Sequence, residues 1–164
     1  MKKQQHFLWL YPLVLFFSFF IDSQLTSILS YRLPFNLHPD FHFFWLIVLL
    51  MSYQVEFWFH FFVLMFFGLL YDFHHLQYIG IGMFFYPLLL LFLSYFRNIM
   101  RNNKLYRILS FFILIFLLEI LTFTGGKVLN LTSDSYIYFI TYTLAPTLLL
   151  NSIIFMISQY FMKV

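Results

Sequence analysis

Apolar stretches long enough to cross a bilayer recur along this chain, and they constrain its fold more than any other feature. The runs Phe7–Leu29, Ile79–Phe96, Leu105–Phe123 and Tyr136–Phe161 each approach or exceed the roughly 20 residues that a helix needs to cross the hydrocarbon of a membrane. Charged side chains make up 9% of the 164 residues, where a soluble domain carries roughly 25%. That is too few to cover a water-facing surface, so the bilayer is the solvent. The lack of cysteine excludes a disulfide framework, a thiolate nucleophile and Cys-ligated zinc. Lys2 and Lys3 ahead of an apolar run resemble the start of a signal peptide. The residues after Ile21 carry no small-residue cleavage pattern, however, and Ala145 is the only alanine. The first run is therefore read as a retained span.

The stretch from Phe41 to Leu70 is too long for one upright helix and too short for two full ones. The polar break Ser52-Tyr53-Gln54 predicts a tight inner turn between two short spans, with Pro34 and Pro39 near the first turn of the earlier one. Basic residues decide between five spans and six. With six, and both termini cytoplasmic, Lys2, Lys3, Arg97, Arg101, Lys104, Arg107 and Lys163 lie inside, against Arg32 and Lys127 outside. With five, the Arg97–Arg107 cluster falls on the wrong side. The sequence thus predicts one all-α domain over residues 1–164, a six-helix transmembrane bundle with spans near 7–29, 36–52, 55–72, 79–96, 105–123 and 136–161.

Charges at membrane depth are costly, so each needs a reason. Asp22 and Glu119 fall in the outer halves of the first and fifth spans, while Glu56 and His60 enter the third from the inner side. They could form a proton relay. They could instead hydrogen-bond between helices and fix the packing, the reading preferred here because the groups lie at different depths with no visible ladder. His38, Asp40 and His42 form one outer group, and Asp72, His74 and His75 another. Such ligand types suit a metal, yet Pro39 breaks the helical register of the first group, and outer loops collect histidine for solubility. No metal site is assigned. Arg97, Arg101, Lys104 and Arg107, spaced by four, three and three, would share one face if helical, suited to anionic lipids or a cytoplasmic partner. Hydrolase, metalloprotease and P-loop signatures are missing. No catalytic residue, cofactor or nucleic-acid partner is therefore predicted, and the polar groups are too few to predict a tightly bound small molecule.

One stretch is more specific. Gly68-Leu69-Leu70-Tyr71-Asp72 followed by Tyr78-Ile79-Gly80-Ile81-Gly82 places Gly, Asp and Gly at offsets of zero, four and twelve. This resembles the signature of the bacterial rod shape-determining MreD family. Leu144-Ala145-Pro146-Thr147 and then Asn151 resemble its Gram-positive branch. On physical grounds Gly68 would let a neighbouring helix approach closely, Asp72 would cap the helix opened near Gly80, Pro146 would kink the last helix, and Asn151 would bond across the bundle. The resemblance implies a non-enzymatic scaffold of peptidoglycan synthesis in the cytoplasmic membrane. Its implied partners are an MreC-like bitopic protein, a SEDS-type glycosyltransferase with its transpeptidase, and in rods the filament protein MreB. It also implies a bundle similar to the substrate-binding subunits of energy-coupling-factor transporters, which supplies the alternative of a vitamin- or metal-binding transport subunit.

Overall fold

The computed structural model describes residues 2–34, 37–76, 78 and 80–161, with the side chains of residues 2–9, 75, 76, 102, 160 and 161 outside that description. Lys163 and the side chains of Lys2, Lys3 and His75 therefore lie outside the described residues. Helices account for most of the chain, and no strand occurs among the described residues. Helix α1 spans Lys2–Arg32, α2 Phe43–Met51, α3 Phe57–Tyr71, α4 Ile81–Asn102 and α5 Lys104–Val128. The last stretch is α6 (Tyr136–Tyr138), a π-helical segment (Phe139–Leu144) and α7 (Ala145–Phe161). Another π-helical turn, Asp72–Leu76, closes α3. Among the described residues five segments are long and apolar enough to cross a membrane: Leu10–Arg32, Phe57–His74, Ile81–Arg101, Lys104–Val128 and Tyr136–Gln159.

The second segment differs from the rest. Its helix has nine residues and reaches about 13 Å at 1.5 Å per residue, less than half of the hydrocarbon thickness. It is entered by a non-helical stretch, residues 37–42, and left by the turn at 52–54. Pro34 and Pro39 sit before the helix, not in its first turn. The residue ahead of a proline is biased away from helical geometry, and Pro39 lies only four residues before Phe43. Within the predicted span near 36–52 the described residues thus form a half-helix with a non-helical lead-in.

Packing places these elements. Tyr11 meets His60, Phe19 meets Phe67, and Phe19 meets His74, so α1 and α3 run side by side in the same direction. Phe44, at the start of α2, touches Phe19, Phe67 and Tyr86. Helix α2 therefore begins well inside the bundle and descends toward the end where Arg97 donates to the Tyr53 carbonyl at 2.6 Å. The core is built from Tyr11, Leu15, Phe44, Trp45, Leu64, Phe67, Leu93, Phe111 and Phe155. Phe17, Trp58, Phe62, Phe84, Tyr95 and Ile137 stay exposed on the outside, where the lipid chains of a membrane would cover them.

Helices α3 and α4 approach most closely through two glycines. A Cβ on Gly68 would lie 2.8 Å from the Met83 Cα, and one on Gly82 would lie 2.7 Å from the Gly68 carbonyl oxygen. No side chain fits in either place. The Gly-x-x-x-Gly motif is missing from any single helix, but this pair, one glycine from each helix, achieves the same close approach.

Candidate functional site: a clamped break inside the bundle

Non-helical backbone at membrane depth leaves amide and carbonyl groups that neither water nor lipid satisfies, so protein side chains must do it. Here α1 and α7 supply them from two sides. From α1, the Asp22 carboxylate accepts from the Phe43 N–H (2.9 Å) and the Phe44 N–H (2.8 Å), and the Thr26 hydroxyl accepts from the Phe41 N–H (2.9 Å). From α7, the Thr147 hydroxyl accepts from the Asp40 N–H (2.9 Å). The Asn151 amide accepts from the His42 N–H (2.9 Å) and donates to the carbonyls of Asp40 (2.7 Å) and Thr147 (2.8 Å). Asp22 also places a negative charge at the N-terminal end of α2, where the helix dipole favours it.

Proline contributes in the same place. Pro146 has no N–H, so the carbonyl four residues earlier, on Tyr142, loses its helical partner. The His38 N–H donates to that carbonyl instead, at 2.9 Å. The π-helical segment Phe139–Leu144 lies directly ahead of Pro146, where the regular ladder is interrupted. The residues that gave the last helix its resemblance to a family thus hold the 38–42 segment.

Under this segment lies a cavity of about 190 Å³. Its lining includes Asp22, Asp40, His42, Glu119 and Thr122, with Trp45 and Tyr86 among the aromatic walls. His42 and Glu119 form an ion pair at 2.7 Å when the imidazole is protonated, and Glu119 is 5% exposed. Polar groups therefore converge where the sequence suggested too few. Asp40 and His42 belong to a proline-interrupted stretch that reads as an outer interfacial loop. The contacts that draw it into the bundle come from α1, through Asp22 and Thr26, and from Thr147 and Asn151 of α7, more than a hundred positions away. Among the described residues no three His, Asp or Glu side chains are arranged to hold one metal ion.

The other predicted residues fall into two further places. At the α3–α4 junction, Asp72 accepts from the N–H groups of Gly80 (2.8 Å), Gly82 (2.6 Å) and Met83 (3.1 Å). Gly80 adopts φ +130°, in the region that favours glycine. His74 is exposed, but its ring also packs edge-on against Phe19 and Phe20, so it is not simply a solvated headgroup residue. At the opposite end, the four basic residues do not share one helical face. The helix breaks at Asn103, whose side chain caps α5 by accepting from the Leu105 N–H. Arg101 and Lys104 are exposed, whereas Arg107 is buried and donates to Gln159 (3.2 Å) and to the Met100 carbonyl (3.4 Å). Burial pushes the nearby Tyr53 hydroxyl up, against the opposing pull of Arg107 and Arg97, so it stays neutral. His60, buried in α3, pairs with the Tyr11 hydroxyl at 2.6 Å, and Glu56 is exposed. Thr26 and the Asp40 backbone are site residues that sequence reasoning did not single out, and Thr147 stood in the last-helix motif without a role of its own. The one available signal was that Thr147 precedes Asn151 by a helical turn.

Comparison with known proteins gives a consistent result. The family model for rod shape-determining protein MreD matches residues 5–164. The cell shape-determining protein MreD of Streptococcus pneumoniae (strain ATCC BAA-255 / R6) is 30% identical over 148 residues, 90% of each chain. No solved structure matches the chain.

Proposed function

The chain belongs to the MreD family of rod shape-determining proteins and has its role in cell shape, and on that premise we propose that it is a non-enzymatic scaffold of wall elongation. In this reading it sits in the cytoplasmic membrane of a bacterium and crosses it six times, with both termini inside. It presents a rigid surface to an MreC-like bitopic protein and, through it, to a SEDS-type glycosyltransferase and its transpeptidase. The basic inner end, with Arg97, Arg101, Lys104 and Arg107, meets anionic lipid and, where one exists, an MreB-type filament.

The observation that carries this reading is how the polar side chains are used. Asp22, Thr26, Asp72, Thr147 and Asn151 all bond main-chain groups of the chain itself. Used in this way they fix the shape of the chain. Co-purification with an MreC-like partner, scored together with cell morphology, tests it. Asp72→Ala and Gly68→Leu should weaken the complex and give rounded cells, whereas Asp134→Asn, in an exposed loop, should do neither. A complex indifferent to both junction changes would overturn it.

One observation favours a second reading. The cavity beneath residues 37–42 has the convergent polar lining that a substrate-binding subunit of an energy-coupling-factor transporter would need. Gene neighbourhood separates the two: an adjacent MreC-like gene supports the scaffold, and an ATPase with a membrane-coupling subunit supports transport.

A further inference from the structure

We propose that the cavity under the non-helical segment 37–42 binds an organic cation, an ammonium or guanidinium group carried on a short aliphatic chain. This goes beyond the scaffold reading and does not depend on it.

The argument begins with charge. Asp22, Asp40 and Glu119 line the cavity with one imidazole, His42, and no Lys or Arg. At most one of the three carboxylates is balanced from within, and uncompensated carboxylates away from water are costly. They are also used unequally. Both oxygens of Asp22 are taken by amides of α2. Glu119 gives Oε1 to His42, and its side chain is 7% exposed, with no hydrogen bond to Oε2 among the described residues. Asp40 has its N–H and its carbonyl held by α7, while its carboxylate makes no hydrogen bond among the described residues. A clamped backbone thus presents a carboxylate that the fold itself does not use.

Shape and wall chemistry define the ligand. About 190 Å³ is several times the roughly 30 Å³ that a water molecule occupies in the liquid, enough for a chain of a few carbons and a cationic head. Phe19, Phe41, Phe44, Trp45 and Tyr86 provide apolar walls and π faces that attract a desolvated cation. A bare metal ion fits poorly, because no three ligand side chains converge on one point among the described residues. The cation can come free in solution or as the Lys or Arg side chain of a partner, since the recognising chemistry is the same.

The experiment uses the full chain in uncharged lipid nanodiscs, titrated with n-butylammonium and with its neutral counterpart butanamide. Calorimetry and the fluorescence of Trp45, which lines the cavity, report binding. Saturable binding of the cation with none of the amide is expected. Asp40→Asn carries the test, because its carboxylate makes no hydrogen bond that the fold depends on. It should weaken binding by about tenfold, the loss of one charge-assisted contact. Glu119→Gln should weaken it similarly, and Asp134→Asn in the exposed outer loop should leave it unchanged. A capped peptide with a central Lys, compared with its Met counterpart, identifies the source. Tighter binding than the free amine supports a partner's side chain, and equal or weaker binding supports a small molecule. The proposal is overturned if cation and amide bind alike, if Asp40→Asn and Glu119→Gln both bind as the parent does, or if zinc alone saturates the site and displaces the amine.

Discussion

Replacing Asn151 by Leu tests whether the non-helical segment is held by α7. The change removes the acceptor of the His42 N–H and the donor to the Asp40 carbonyl. Each stranded group costs about 1–3 kcal/mol when nothing replaces its partner, so two give about 2–6 kcal/mol. Water in the adjoining cavity can reach part of this backbone and offset some of the loss, which places the expectation at about 2–4 kcal/mol. Thr147→Val strands the Asp40 N–H alone and should cost about 1–3 kcal/mol. Because both side chains hold Asp40, the double variant should lose less than the sum, by at least about 0.5 kcal/mol. Unfolding in mixed micelles, followed by Trp45 fluorescence in a Trp9→Phe, Trp58→Phe background, measures all four corners of the cycle. Additive energies, or an Asn151→Leu loss below about 0.5 kcal/mol, would show that the segment is held by something other than this clamp.

The α3–α4 junction should tolerate nothing larger than glycine. Gly68→Ala or Gly82→Ala forces backbone apart and should cost about 1–3 kcal/mol, read as a lower melting temperature in micelles. Asp72→Ala leaves three N–H groups without their acceptor, and the same melt should fall by at least the roughly 0.5–2 kcal/mol of a lost helix cap. Tyr11→Phe removes the partner of the buried His60 ring and should destabilise by about 1–3 kcal/mol, while Tyr95→Phe, on the exposed face, should be neutral. Reporter fusions after Met100 and after Lys163 should both read cytoplasm; an outside signal at Met100 would mean that residues 37–54 do not cross the membrane.

Apolar run length and the shortage of charge were enough to specify a helical membrane protein, because a bilayer leaves the backbone few other ways to satisfy its hydrogen bonds. Local spacing also went far at the α3–α4 junction. Gly68, Asp72 and Gly80 sit close in sequence, so a close approach and a cap can be inferred from neighbouring positions. The break in the second span was out of reach of such reasoning. Its partners are Asp22 and Thr26 on one side and Thr147 and Asn151 on the other, and the latter pair lies more than a hundred residues away. Read alone, His38-Pro39-Asp40-Phe41-His42 has the composition of a wet outer loop. What places it inside the bundle is the set of side-chain acceptors that the tertiary fold delivers to its amides. The same long-range convergence assembles Asp22, Asp40, His42 and Glu119 around one cavity. A sequence displays residue types and their spacing along one helix or turn. Depth, pairing and enclosure exist only once distant helices have packed.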